Sequence, residues 1–141
     1  MRLRTAVVAA SLACAVLVVV GCSSSSDDAK STSTTKPPED ILVPNAQVTT
    51  GLDNLRALVA QAKSEASAGA STAQQTVDDS WSQWLKIEGR IKKNDTGAYL
   101  EFEDALSDMR IGAQEDEPGK IEKAATSVDA LITSYLADFP G

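Results

Sequence analysis

Four residues in the middle of the chain combine side chains that can do chemistry with helical spacing. Trp84 precedes Glu88 by four residues, and Tyr99 precedes Glu103 by four residues. Side chains four residues apart on a helix lie on one face, with Cβ atoms about 5–6 Å apart. Each stretch therefore predicts one carboxylate beside one aromatic ring.

The two carboxylates are expected at nearly the same height if the two stretches form a hairpin that turns near Asn94. Glu88 and Glu103 then differ by about 3 Å along the helix axes. Like charges that close favour a shared proton, a neighbouring base or a bound cation. Oxygen ligands suit hard ions such as iron, manganese, magnesium or calcium, and the Tyr99 phenol would add another oxygen. Glu88, Glu103 and Tyr99 are the candidate metal ligands, and iron, manganese or calcium is the candidate cofactor.

A structural role for the same residues is the alternative. Glu88 pairs in that case with Arg56 or Arg110, because ion-pair networks also bury carboxylates. Trp81 and Trp84 are predicted to be core residues, since apolar side chains at helical spacing usually face the interior.

The residue types that are missing narrow the chemistry further. The sequence has no histidine, and its two cysteines, Cys14 and Cys22, both lie near the start. A domain without His or Cys lacks the Ser-His-Asp and Cys-His nucleophiles, thiolate zinc sites and histidine-ligated haem. No glycine-rich phosphate-binding loop is found. We therefore expect a protein without enzymatic activity.

The first 21 residues have the pattern of a secretory signal. Residues 6–20 carry no charge, and this stretch is shorter than the roughly 20 residues of a membrane-spanning helix. The sequence Val19-Val20-Gly21-Cys22 follows and leads into four serines. It resembles the lipobox of bacterial lipoproteins, which implies that residues 1–21 are removed and that the Cys22 thiol is linked to diacylglycerol.

Such a lipoprotein carries two or three acyl chains, palmitate among them, and these are enough for stable attachment. The membrane is then a partner through the lipid anchor at Cys22. The expected location is the cell membrane, with the lipid-anchored protein facing outside the cytoplasm.

The rest of the chain divides into a tether and a domain. Residues 22–44 are rich in Ser, Thr, Asp and Pro and predict a disordered tether, and residues 45–141 predict one small domain. Without residues 1–21 the chain has 20 acidic and 11 basic side chains, a net charge of −9. Such a charge argues against nucleic acid as a partner and against lying flat on anionic lipid.

Apolar residues recur at three- and four-residue steps in four segments of the domain. The segments are residues 45–68, 71–93, 96–114 and 118–138. Gly69 is a predicted stop, Asp95 or Thr96 a predicted cap, and Pro118 a predicted helix start. No segment alternates with a two-residue period. Short connections between helices of this length predict an all-α, antiparallel up-down-up-down four-helix bundle.

Two short patterns add a family resemblance. W-x3-E-x2-I-K over residues 84–92 and Y-x3-E-x2-L over residues 99–106 resemble the helical extracytoplasmic domain of oxidase-dependent iron permeases and of imelysin-like iron-uptake components. The resemblance implies Glu88 and Glu103 as acidic positions of interest. It also implies a permease or another envelope protein as partner. The His-x-x-Glu motif of imelysin-like proteins is missing here.

Two functions are favoured by these patterns over a third, an enzyme that uses two carboxyl groups as an acid–base pair, because nothing in the sequence marks a substrate cleft. The first is a membrane-anchored extracytoplasmic binding lipoprotein, accessory to the uptake of iron or another hard cation. The alternative is a structural or interaction adaptor lipoprotein of the cell envelope that has no metal site.

Overall fold

A computed structural model describes residues 42–141, and the regular structure of these residues is entirely helical. The helices are α1 (Asn45–Ser67), α2 (Ala73–Trp84), α3 (Glu88–Asn94), α4 (Thr96–Gln114) and α5 (Pro118–Asp138). The all-α prediction is confirmed for this part of the chain. Within it, no helix has the length and apolar character needed to cross a membrane. The predicted signal peptide, Cys22 and most of the predicted tether lie outside the described residues.

Three helix boundaries lie where local signals predict them. Gly69 follows the end of α1 with a φ of 65°, a left-handed conformation that glycine adopts without steric cost. Asp95 caps α4, because its Oδ1 accepts a hydrogen bond from the backbone N–H of Ala98 at 3.0 Å. Pro118 begins α5, where its missing N–H costs no hydrogen bond.

The prediction of one helix over residues 71–93 is wrong, since residues 85–87 separate α2 from α3. Ile87 leaves the helical region with φ −123° and ψ −18°. Its side chain packs against Gly51 of α1, where an added Cβ would lie 2.5 Å from Ile87 Cγ2. Gln83 Nε2 also donates to the Gly51 carbonyl at 3.1 Å. The break between α2 and α3 therefore lies where Gly51 of α1 comes close to Gln83 and Ile87.

The core lies where the apolar faces of the helices meet. Helix α1 packs on α2 and α5, and α4 packs on α5, α2 and α3. The largest side chains that are fully buried come from every helix: Leu52, Leu55, Val77, Trp84, Ile91, Phe102, Leu106, Met109, Val128 and Ile132. The burial of residues at helical spacing confirms the predicted apolar faces.

Glu65 ties α1 to α2 across their connection. Its Oε2 accepts a hydrogen bond from Thr76 Oγ1 at 2.6 Å, and its Oε1 accepts one from Gln61 Nε2 at 2.8 Å. The hydrogen bond from Gln61, followed by that from Thr76, lowers the pKa of Glu65 below its ordinary value of 4.5. A depressed folded-state pKa stabilises the fold at pH values above 4.5. This contribution disappears as the pH falls through the depressed pKa.

Glu65→Gln is therefore expected to make the free energy of unfolding less dependent on pH as the pH falls below 4.5, because the variant has no proton to gain there. Urea unfolding at a series of pH values measures this. Glu101→Gln, at an exposed glutamate of α4, is the matched control. An equal flattening in both variants would contradict the assignment to Glu65.

Candidate functional site

Trp84, at the end of α2, is the centre of an aromatic cluster and is 0% exposed. Its ring centroid lies 5.0 Å from that of Phe102 and 6.0 Å from that of Tyr99, with the rings stacked. Its indole Nε1 donates a hydrogen bond to Glu103 Oε1. We call Trp84, Tyr99, Phe102 and Glu103 the Trp84 cluster.

The spacing along α4 brings three members of the Trp84 cluster to one side of that helix. Phe102 and Glu103 follow Tyr99 by three and four residues, the steps that place side chains near one another on a helical face. The cap at Asp95 sets where α4 begins, one turn before Tyr99. Lys92 at the end of α3 places its Nζ 4.9 Å from the centroid of the Tyr99 ring, a cation–π contact.

Two of the three predicted metal ligands, Glu103 and Tyr99, meet at Trp84. Glu103 is half-buried there, with one carboxylate oxygen bonded to the indole. Glu88 is the first residue of α3 and is buried, with 5% of its surface exposed. Among residues 42–141, no three or more acidic, His or Cys side chains are grouped so that they could hold a metal ion.

Arg56 and Arg110, which the structural alternative considers as partners of Glu88, each contact a residue on another helix. Arg56 Nε lies 2.8 Å from Asp129 Oδ1 on α5. The guanidinium of Arg110 lies over the ring of Trp81, with Cζ 4.8 Å from the ring centroid. Arg110 Nε is buried there and has no hydrogen-bond partner among the described residues. Trp81 is only partly buried. It packs against the core and also contacts the Arg110 guanidinium with its ring face.

A second polar cluster, which the sequence patterns did not predict, joins the start of α1 to α3 and α5. Asn94 Nδ2 donates to Tyr135 Oη at 2.9 Å and lies 3.3 Å from Asn45 Oδ1. Arg90 Nε donates to the Val43 carbonyl at 2.6 Å. Burial raises the pKa of Tyr135, while the hydrogen bond from Asn94 acts in the opposite direction. These partners are 41 to 49 residues apart in the sequence, so no local signal points to them.

The arrangement around Trp84 is well suited to holding helices together. A hydrogen bond to a charged acceptor contributes about 1.5–3 kcal/mol, and offset aromatic pairs add about 0.5–1.5 kcal/mol beyond their burial. All of these contacts connect α2 to α4. The geometry therefore assigns Glu103 a structural contact between α2 and α4.

The fold and the site together define a helical domain whose carboxylate and phenol surround one buried tryptophan. No family model matched the chain, and comparison with curated proteins and with solved structures gave no match. The resemblance to iron-uptake proteins stays a prediction that rests on residues 84–92 and 99–106.

Proposed function

We propose that this protein is a membrane-anchored adaptor of the cell envelope, whose helical domain binds a partner protein and catalyses no reaction. The observation that supports this most directly is the hydrogen bond from Trp84 to Glu103. It uses a candidate carboxylate to join α2 to α4, beside the stacked ring of Tyr99. The candidate side chains Glu103 and Tyr99 thereby contribute to the packing of α2 on α4. In this proposal the exposed faces of the helices bind the partner protein.

The anchor in this proposal is the Cys22 thiol after removal of residues 1–21. Support comes from the small residue Gly21 before Cys22 and the serine run after it. Acylation there would hold the domain at the outer side of the cell membrane on a tether of residues 22–44. The tether would be long enough to let the domain reach proteins above the lipid headgroups.

Cys22→Ser is expected to abolish incorporation of labelled palmitate and to release the protein from the membrane fraction, because the acylated thiol is lost. Gel autoradiography and fractionation measure the two effects. Cys14→Ser is the matched control, since Cys14 lies inside the predicted signal and should leave labelling unchanged. Label retained in Cys22→Ser would refute the anchor.

The proposed architecture is an antiparallel four-helix bundle in which α2 and α3 together form the second element. Contacts between α1 and α5 support it: Arg56 lies 2.8 Å from Asp129, and Lys63 lies 3.6 Å from Glu122. Residue numbers rise along α1 as they fall along α5. Helices α2 and α4 follow the same pattern, because Trp84 meets Glu103 while the earlier Trp81 meets Arg110.

In-cell photo-crosslinking of the full-length lipoprotein tests the adaptor function. A photoreactive amino acid is placed at one exposed position on each of four helices: Ala57, Asp79, Ser107 and Ala137. An adaptor is expected to give an adduct of discrete mass with an envelope protein from one face and none from the opposite face. Absence of adducts at all four positions would refute it.

The second candidate function is accessory binding of a hard cation such as iron, manganese or calcium. One observation favours it: Glu88 is a carboxylate with only 5% of its surface exposed, and buried carboxylates often serve functional sites. Glu88 and Glu103, with Tyr99, would supply the oxygen ligands. The hydrogen bond from Trp84 would then orient Glu103 as a ligand, in the way that outer partners orient metal-bound carboxylates.

Thermal unfolding with added citrate-chelated Fe³⁺, Mn²⁺ or Ca²⁺ tests this second function. A cation site is expected to raise the melting temperature of the wild-type protein and to lose that shift in Glu88→Gln, because binding to the folded state stabilises it. Glu101→Gln, at an exposed position on α4, should keep the shift. A wild-type melting temperature that none of the ions changes would eliminate this function.

A further inference from the structure

A continuous groove runs along the surface between α4 and α5. Three adjoining depressions form it, and neighbouring depressions share lining residues such as Ser127 and Ser134. The small side chains that line it are Ala98, Ala105, Ala124, Ser127, Ala130 and Ser134. Small side chains allow a third helix to approach to the distance of about 8–10 Å at which helices pack.

Helix α4 borders this groove with negative charge that is not neutralised. Glu101, Asp104 and Asp108 are exposed and line the groove. None of the three has an ion pair or a side-chain hydrogen bond with another residue in the described part of the chain. On the α5 side, Lys120 and Lys123 line one end of the groove, and Lys120 is paired with Glu115 and Glu117. The excess negative charge therefore lies along α4.

The same side of α4 exposes two large apolar residues. Leu100 is 55% exposed and Ile111 is 42% exposed, although Leu100 extends the apolar stripe of α4 in the sequence. They are eleven residues apart, which is about 16 Å along the axis and within about 20° around it. Asp104 and Asp108 lie between them on the neighbouring part of the helix surface. The exposed face of α4 is therefore apolar at both ends and acidic in the middle.

We propose that this face of α4 and the α4–α5 groove form the docking surface for a basic amphipathic helix of a partner protein. The partner helix would place apolar residues against Leu100 and Ile111, three turns apart, and lysine or arginine side chains against Asp104 and Asp108. The backbone of the partner helix would pack against the small residues of the groove. This inference rests on the adaptor function and specifies the chemistry of the partner.

The negative charge of this surface favours a basic helix over a second copy of the chain and over an anionic lipid surface. A second copy of the chain docked symmetrically on this face would bring the same carboxylates together, and like charges that face each other at an interface disfavour association. An anionic lipid surface would be repelled by the same residues. A cationic helix gains both attraction to the carboxylates and burial of the two apolar side chains.

A designed peptide is the direct probe. It is a helix-forming segment of about 18 residues with two leucines three turns apart and lysines between them on one face. Its affinity is measured by fluorescence anisotropy against the full chain reconstituted in phosphatidylcholine vesicles, with protein-free vesicles as the blank. The double variant Asp104→Lys, Asp108→Lys is expected to weaken binding at least about tenfold. Leu100→Ala should also weaken it, because an apolar contact is lost.

The matched control is Asp78→Lys, Asp79→Lys, which makes the same change of net charge on exposed residues of α2. It should change the affinity by less than about twofold, since it lies outside the docking surface. A peptide with glutamates in place of the lysines should bind only the Asp104→Lys, Asp108→Lys protein. Equal weakening by both double variants would overturn the proposal, as would a wild-type protein that binds neither peptide.

Photo-crosslinking in cells separates this proposal from the adaptor function itself. A photoreactive residue at Ser107, on the exposed face of α4, should give the partner adduct, and Asp104→Lys, Asp108→Lys should abolish it. Adducts from Ala57 or Asp79 without one from Ser107 would leave the adaptor function standing and refute this surface. Absence of adducts at every position would refute both. Far-ultraviolet circular dichroism of the variants checks that these exposed substitutions leave the fold intact.

Discussion

Trp84→Ala is expected to lower the free energy of unfolding by about 3–5 kcal/mol, the range for removing a fully buried large aromatic side chain. Trp84 is 0% exposed, and its ring stacks on Tyr99 and Phe102. Its removal leaves a cavity between α2 and α4 and takes away the hydrogen-bond donor of Glu103. Domains of this size are stable by about 5–15 kcal/mol, so the loss is a large fraction. Urea unfolding followed by circular dichroism measures it.

Trp81→Ala is the matched control, because Trp81 is only partly buried and a smaller loss is expected. The hydrogen bond is isolated by a double-mutant cycle of Trp84→Phe, which keeps an aromatic ring, and Glu103→Ala. A coupling of about 1.5–3 kcal/mol is expected for a bond to a charged acceptor. Additivity of the two substitutions within about 0.5 kcal/mol would show that the bond contributes nothing to stability.

Gly112→Ala is expected to lower the free energy of unfolding by about 1–3 kcal/mol through overpacking. A Cβ at this position of α4 would lie 2.8 Å from Lys120 Cβ and 3.0 Å from the backbone nitrogen of Ile121. The clashing atoms belong to the backbone of α5 or lie next to it, so the helices must move apart. Alanine favours helix by about 1 kcal/mol over glycine, but that gain is smaller than the packing cost. The midpoint of urea unfolding reports the net effect.

Gly119→Ala separates packing from helix propensity. Gly119 is near the start of α5, and a Cβ there would have no atom within 4 Å. This variant should be neutral or slightly more stable than the wild type, since alanine only restricts the unfolded chain. If Gly112→Ala also proved neutral or stabilising, the close packing of α4 on α5 would not depend on this glycine.

The ends of the helices could be predicted from the sequence because their causes are local. Gly69 supplies a left-handed backbone conformation after α1, Asp95 caps α4 through the backbone N–H of Ala98, and Pro118 begins α5. Each signal acts within a few residues of the boundary that it sets. The apolar stripes are equally local, which is why the buried faces of the helices were predicted.

The break between α2 and α3 could not be predicted in this way. Gly89 has the lowest helix propensity in that stretch, yet it lies inside α3 rather than at the break. The break occurs where Ile87 packs against Gly51, 36 residues earlier in the chain. A contact at that separation depends on how α1 lies against the second segment, and the periodicity of one helix does not contain that information.

By itself, the sequence determined the helical class, most helix ends, and the position of Glu103 one turn after Tyr99 on α4, because capping and the 3.6-residue period act over short distances. The helical spacing of Trp84 and Glu88 does not apply in the structure, because α2 ends at Trp84 and α3 begins at Glu88. Only the tertiary structure decided what the Glu103 carboxylate meets. Equal height along neighbouring helices favoured Glu88, yet Glu103 accepts its hydrogen bond from the indole of Trp84. The choice depends on the rotation and separation of α2 and α4, which the packing of the whole core sets and which no short stretch of sequence specifies.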